Sequence, residues 1–160
     1  MNPQWNKVIR DLKGLAGYFQ DLYRIARFKF KNPHSYTKFL LIDQIRKKTN
    51  ATILIESGTF LGVTADRCAP LFSKVYTVEL NKELAAQASQ NLRHRKNVKV
   101  WQGDILEVLP TLITQERVDH FLIFLDGHFS GGRSARGAVP EPALQALELL
   151  SKHKEKVNAI

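Results

Sequence analysis

A single cysteine, Cys68, stands in 160 residues, so no intrachain disulfide can form. A lone thiol is consistent with a reducing compartment, and the cytoplasm is the expected location. No apolar run approaches the ~18 residues that mark a membrane span. The N-terminus lacks the apolar core of a signal peptide, because Lys7, Arg10, Asp11 and Lys13 interrupt it. A Gly-x-Gly-x-x-Gly fingerprint is also missing, which weakens a dinucleotide-binding reading. Acid is scarce in the first part of the chain. Residues 1–48 hold 11 Lys/Arg against 3 Asp/Glu, whereas residues 49–160 hold 13 against 12. The net charge of +9 therefore belongs almost wholly to the N-terminal segment. That segment has the charge to meet nucleic acid or an anionic membrane, although a solvated helix face explains it as well. What remains is ordinary: a hydrophobic fraction of 44% in one chain long enough for one domain with a real core.

Residues 4–30 read as one long amphipathic helix. Trp5, Ile9, Leu12, Ala16, Phe19, Tyr23 and Ala26 recur at steps of three and four, forming an apolar stripe. The stripe is expected to pack on the rest of the domain, ahead of docking on a membrane surface or dimerisation. Gly14 and Gly17 predict a weak point or break in this helix. Asn32-Pro33-His34-Ser35 is a turn. His34 and Tyr36 stand in reach of a ligand or, more simply, in a surface loop. A second helix is expected over 36–48, with Phe39, Leu40, Ile42 and Ile45 inward and Asn50 ending it.

From here the chain alternates strand and helix. Ile53-Leu54-Ile55 is a short buried strand ending on Glu56, followed by a turn with Gly58 and Gly62 and a helix over 63–72. Lys74 to Glu79 is a second strand. Asn81 caps the next helix, whose inner face is Leu84, Ala88 and Leu92. Val98 to Gln102 is a third strand, running into Gly103-Asp104-Ile105 and a short helix stopped near Pro110. Phe121 to Leu125 is wholly apolar, hence a central strand, and it ends on Asp126-Gly127-His128. Pro140 and Pro142 suit the start of a helix with Ala143, Leu144, Leu147 and Leu150 inward, ending around 152–156. Val157 to Ile160 begins another strand. The pattern is that of an α/β, Rossmann-like doubly wound parallel sheet of about four to five strands. Cys68 reads as a core residue, with no partner base in view.

Four strands thus end on acids: Glu56, Glu79, Asp104 and Asp126. In an open parallel sheet all four gather at the carboxyl edge, where such folds bind ligands. Clustered carboxylates repel, so they call for a cationic or hydroxyl-rich partner. Glu79 lies 23 residues beyond Glu56, a spacing suited to a ribose diol. His128 is a candidate base beside Asp126, or the pair are two ligands of one metal; a solvated loop histidine is the plainer reading. The segment 131–137 reads as a lid whose Arg133 and Arg136 are suited to an anionic group.

With these residues in place, the sequence resembles a class I S-adenosylmethionine-dependent methyltransferase. The matching motifs are Glu56-Ser57-Gly58-Thr59-Phe60-Leu61-Gly62, then Glu79, Gly103-Asp104-Ile105 and Asp126-Gly127-His128. The Asp-Gly-His loop also resembles, more weakly, a branch near macrocin O-methyltransferase and cephalosporin hydroxylase-like proteins. The resemblance divides the chain into a basic helical segment, 1–35, and a methyltransferase domain, 36–160. It implies S-adenosylmethionine as cofactor and a small-molecule methyl acceptor. Gly58, Thr59 and Gly62 would form the cofactor turn, Glu56 would hold its amino group and Glu79 its ribose. Asp104 would meet the adenine amino group while Ile105 packs on the ring. Asp126 and His128 would be catalytic, and in the metal-dependent branch Asp126 would help to hold a divalent ion such as Mg.

The complete fold of that family carries more strands than the four, and the start of a fifth, counted here. A C-terminally truncated domain is therefore expected, with an unpaired apolar edge at 121–125, oligomerisation through that edge and weak turnover. Two other readings compete. One is a nucleotide- or NAD-binding protein on a similar sheet. The other is a non-enzymatic module whose basic helix contacts nucleic acid or anionic membrane.

Overall fold

The computed structural model describes residues 7–29, 31–115, 120–126 and 143–160. Five parallel strands form one sheet in the order β3-β2-β1-β4-β5. They are β1 (Ile53–Ser57), β2 (Lys74–Glu79), β3 (Val98–Gln102), β4 (Phe121–Leu125) and β5 (Val157–Ala159). The helices are α1 (Lys7–Ala26), α2 (Ser35–Thr49), α3 (Val63–Cys68), α4 (Lys82–Leu92), α5 (Ile105–Gln115) and α6 (Ala143–Ser151). The α/β, doubly wound class expected from the sequence is the one observed.

Alternation of side chains along the strands builds a core on each face of the sheet. Ile53, Ile55, Val78, Phe121 and Ile123 meet α5 and α6 through Leu109, Leu112, Ile113, Ala146 and Leu150. Leu54, Val75 and Leu122 meet α2, α3 and α4 through Ile42, Ala65, Cys68 and Leu92. Chain order reverses between β1 and β4. Their carboxyl ends, with that of β2, therefore flank the crevice where ligands enter such sheets.

Several expectations need correction. The helix α5 does not stop at Pro110 but runs through it to Gln115. The missing N–H and the ring clash cost about 3 kcal/mol. Burial of Ile105, Leu109, Leu112 and Ile113 on one side of the proline and across it holds the helix together. In α6 the inward residues are Ala146 and Leu150, one turn apart, while Leu144 and Leu147 face out. The helix expected over 63–72 ends at Cys68, and a 3-10 turn, Ala69–Leu71, carries Pro70. The edge of β4 is not left bare, because β5 pairs Val157 with Phe121 and Ala159 with Leu122. Among the described residues, no helix is long and apolar enough to cross a membrane.

The largest correction concerns α1. It is unbroken, and it packs through the face opposite its apolar stripe. Gly14 and Gly17 are contact points rather than a break. A Cβ on Gly14 would lie 2.8 Å from Arg67 Nη2, and one on Gly17 would lie 2.8 Å from His34 Cγ. Asp21 receives the backbone N–H of His34 at 2.8 Å and the Thr37 hydroxyl at 2.6 Å, with His34 Nδ1 at 2.7 Å. Burial pushes the Asp21 carboxyl up, but those hydrogen bonds outweigh it and hold the group below its usual range. Arg10 pairs with the buried Asp66, and Arg67 donates to Asp11 at 3.0 Å and to the Arg10 carbonyl at 2.9 Å. Buried ion pairs demand defined partners, so this polar face, rather than the apolar one, fixes how α1 sits. Trp5 lies outside the described residues.

Candidate functional site

The site is built on the carboxyl ends of β1, β2, β3 and β4. Glu56 and Ser57 are the last residues of β1, in register with Thr77 and Val78 of β2 and with Phe124 and Leu125 of β4. The chain then turns sharply. Gly58 has φ 91° and donates to the Val78 carbonyl at 2.9 Å. Gly62 has φ 82°, donates to the Thr59 carbonyl at 2.8 Å and opens α3. A Cβ on Gly62 would stand 2.7 Å from Leu92 Cδ1, so both its conformation and its packing against α4 demand glycine. Phe60, between them, also has positive φ and is half exposed.

Glu79 fastens this turn. Its Oε2 accepts the Phe60 N–H at 2.8 Å and its Oε1 accepts the Asn81 N–H at 3.0 Å. Glu79 is thus engaged by the backbone although Asn81 takes the capping of α4. Asn81 Oδ1 does cap α4, accepting from Glu83 and Leu84. Glu79 nevertheless spends one lone pair of each oxygen on the backbone, and each oxygen retains another. On β3, Gly103 donates to the Glu79 carbonyl at 3.0 Å, and Asp104 Oδ1 caps α5 by accepting from Leu106 at 2.9 Å. Ile105, the first residue of α5, is buried in the core on that face of the sheet.

Glu56 is the chemical centre. It is 1% exposed, and its Oε2 accepts the Thr77 hydroxyl at 2.7 Å. Thr77 in turn lies 2.6 Å from the Thr59 hydroxyl, which ties the carboxylate to the glycine turn. Burial pushes the Glu56 carboxyl up to about 8. The Thr77 bond and Lys38 oppose that rise, while Asp126 and Glu79 add to it. At neutral pH the group is mostly protonated. Asp126 continues the ladder, donating its N–H to the Ser57 carbonyl at 3.1 Å, and its carboxylate pairs with Lys38.

Lys38 is the residue that sequence reasoning missed. It sits in the first turn of α2, and α2 leads by a short connection into β1. A helix that runs back along its following strand returns its N-terminus to that strand's carboxyl end. A cation in its first turn was the signal available. Of the two residues proposed there instead, His34 is engaged by Asp21, and Tyr36 meets Tyr18 edge to face with the Arg67 guanidinium over its ring. Cys68 is buried, and burial pushes its thiol well up, as a core role requires.

Glu56, Glu79 and Asp126 thus converge on one crevice with Lys38, and Asp104 closes the neighbouring strand. His128, Gly127, Arg133 and Arg136 lie outside the described residues. Among those described, no group of three His, Cys, Asp or Glu side chains is arranged to hold a metal ion, and Asp126 is engaged by Lys38 instead. The donor set does fit a cationic, hydroxyl-bearing ligand. Among the described residues, three carboxyl groups lie near one ammonium, and burial keeps the proton on the most buried of them.

No protein-family model and no curated protein matches the chain in sequence. Among solved structures it is similar to the O-methyltransferase TomG from Streptomyces achromogenes, involved in tomaymycin synthesis and in complex with S-adenosylmethionine. The identity is 21% and the TM-score 0.52, over 79% of this chain and 62% of that one. It is also similar to an O-methyltransferase from Bacillus cereus in complex with S-adenosylhomocysteine, at 22% identity and TM-score 0.50, over 71% of this chain and 54% of that one. This chain therefore spans less than two thirds of either. At these identities the likeness is one of fold: the chain has the Rossmann-like α/β fold of these O-methyltransferases.

Proposed function

We propose that this chain binds S-adenosylmethionine and forms the cofactor half of a methyltransferase acting on an oxygen of a small molecule. The observation that carries the reading is the uncompensated acid at the β1/β4 crevice. Glu56 is buried beside Asp126 and Glu79, and among the described residues Lys38 is the one cation set against them. A ligand bearing an ammonium and a sulfonium supplies the missing positive charge.

In this reading Glu56 takes the ligand's amino group and releases its proton as it ionises. The backbone at Gly58 and Thr59 lines the methionine portion, and Gly62 keeps the turn closed on α4. Glu79 offers its remaining lone pairs to the ribose diol. The second oxygen of Asp104 receives the adenine amino group, with the edge of Ile105 beside the ring. When bound, the cofactor supplies an electrophilic methyl on sulfur. The chain's part is to align the acceptor and take its proton. Asp126, paired with Lys38, and His128 are the proposed groups for that step. The reading sets the protein in the cytoplasm, where a lone thiol such as Cys68 stays reduced.

The test is calorimetric titration of the chain with S-adenosylhomocysteine, alongside Glu79→Gln. The native chain is expected to bind, and the variant to bind at least about tenfold more weakly, because a neutral amide loses charge-assisted acceptance. Binding of NAD in preference to S-adenosylhomocysteine would instead select a dinucleotide-binding protein. Equal binding by native chain and variant would remove Glu79 from the site.

A further inference from the structure

The outward face of α1 is an apolar strip on a helix of 20 residues, about 30 Å long. Leu12 is 67% exposed, Phe19 60% and Phe28, just past the helix end, 84%, and Leu15, Leu22 and Tyr23 lie open along the same helix. Scattered exposed apolar residues mean little, but a continuous strip of this length marks a contact surface.

Charge identifies what it contacts. Of the two acids of α1, Asp21 is buried and bound by His34 and Thr37, while Asp11 stays half exposed and is paired with Arg67. The inward cation, Arg10, is spent on Asp66. The exposed cations on α1 and in the chain just after it are Lys13, Arg27, Lys29 and Lys31. The Arg27 guanidinium lies over the Tyr23 ring at 5.1 Å, a cation held at the strip itself. The open face of α1 is therefore apolar along its centre with four exposed cations on or just after the helix, against one half-exposed acid, Asp11, that Arg67 already pairs. A second copy of the chain would bring like charges together. A nucleic acid would leave the leucines and Phe19 uncovered.

We propose that α1 lies in the interface of an anionic lipid bilayer, with Leu12, Leu15, Phe19 and Leu22 entering the acyl boundary. Lys13, Arg27, Lys29 and Lys31 meet the headgroups, their alkyl stems running along the apolar strip. The packed glycine face fixes the domain above the membrane, so docking needs no unfolding.

The experiment is vesicle co-sedimentation of the full chain. One set of vesicles is phosphatidylcholine alone, and the other contains about one third phosphatidylglycerol. The bound fraction on the anionic vesicles is expected to correspond to at least about tenfold tighter partition, and to fall when salt rises from about 0.1 M to about 0.5 M. Leu12→Ser with Phe19→Ser should abolish binding, and Lys29→Glu with Lys31→Glu should remove the preference for anionic lipid. All four positions are exposed, and circular dichroism checks that the variants keep their helix content. Equal partition onto both vesicle types overturns the proposal. So does a dimer in sedimentation equilibrium that the Leu12/Phe19 variant dissociates while the native chain ignores vesicles, because a second copy then covers the strip.

Discussion

Two buried carboxyl groups, ten residues apart and each 1% exposed, behave in opposite ways. Asp66, on α3, takes Arg95 Nε at 2.7 Å, His94 Nε2 at 2.9 Å and the Arg10 guanidinium. Burial raises it, but Arg95 and Arg10 hold it below its usual range, so it stays ionised. Glu56, at the end of β1, has a threonine and two other acids for neighbours and a lysine already paired with one of them. Burial pushes it up to about 8. A buried charge whose partners are all supplied by the chain is an architectural joint, here tying α1 and the turn after α4 to α3. A buried acid lacking its cation marks a place where a ligand completes the structure.

Breaking the compensated member should have the largest effect. Asp66→Ala strands Arg10 and Arg95 against a buried hole and is expected to cost about 3–5 kcal/mol in urea denaturation. A loss below about 1 kcal/mol would mean that water, not Asp66, satisfies those guanidinium groups.

The uncompensated member should show itself in pH dependence. A carboxyl raised from 4.5 to about 8 binds its proton more tightly in the folded chain than in the unfolded one. Its stabilisation is complete below about pH 4.5 and drains away as pH rises through about 8, by an amount of order 5 kcal/mol. Glu56→Gln should flatten that slope and be the more stable protein at pH 8. The same linkage makes S-adenosylhomocysteine bind more tightly at pH 8 than at pH 6, with proton release on binding, because the ligand's ammonium favours ionised Glu56.

The smallest effect sharpens the comparison. Thr77→Val keeps the shape but removes the hydroxyl shared by Glu56 and Thr59. It should cost about 1–2 kcal/mol. It should also move the Glu56 transition to higher pH, since the bond it removes is the main influence pulling that group down. An unmoved pH profile would show that Thr77 merely fills space.

The order of elements and the acid at each strand end were legible because they are local. An apolar run bounded by glycine, asparagine and acid reads as a buried strand whatever surrounds it, and Asn81 caps α4 through neighbours two and three residues away. The reading failed where two periodic patterns compete on one helix. In α1 the apolar stripe was the stronger pattern, but Arg10, Gly14, Gly17 and Asp21 form a second one at steps of four, three and four, and that one packs. Leu144 and Leu147 in α6 misled for the same reason. Pro110 misled because local propensity was outweighed by burial across it.

By itself, then, the sequence determined an alternating α/β chain with four acids at one edge of a parallel sheet, because strand length, glycine turns and helix caps act between near neighbours. Only the tertiary structure decided that Lys38 pairs with Asp126, that Glu79 clamps the glycine turn through Phe60 and that α1 buries Asp21 and shows its leucines. These depend on distances between residues tens of positions apart, and such distances are set by packing, not by the pattern along the chain.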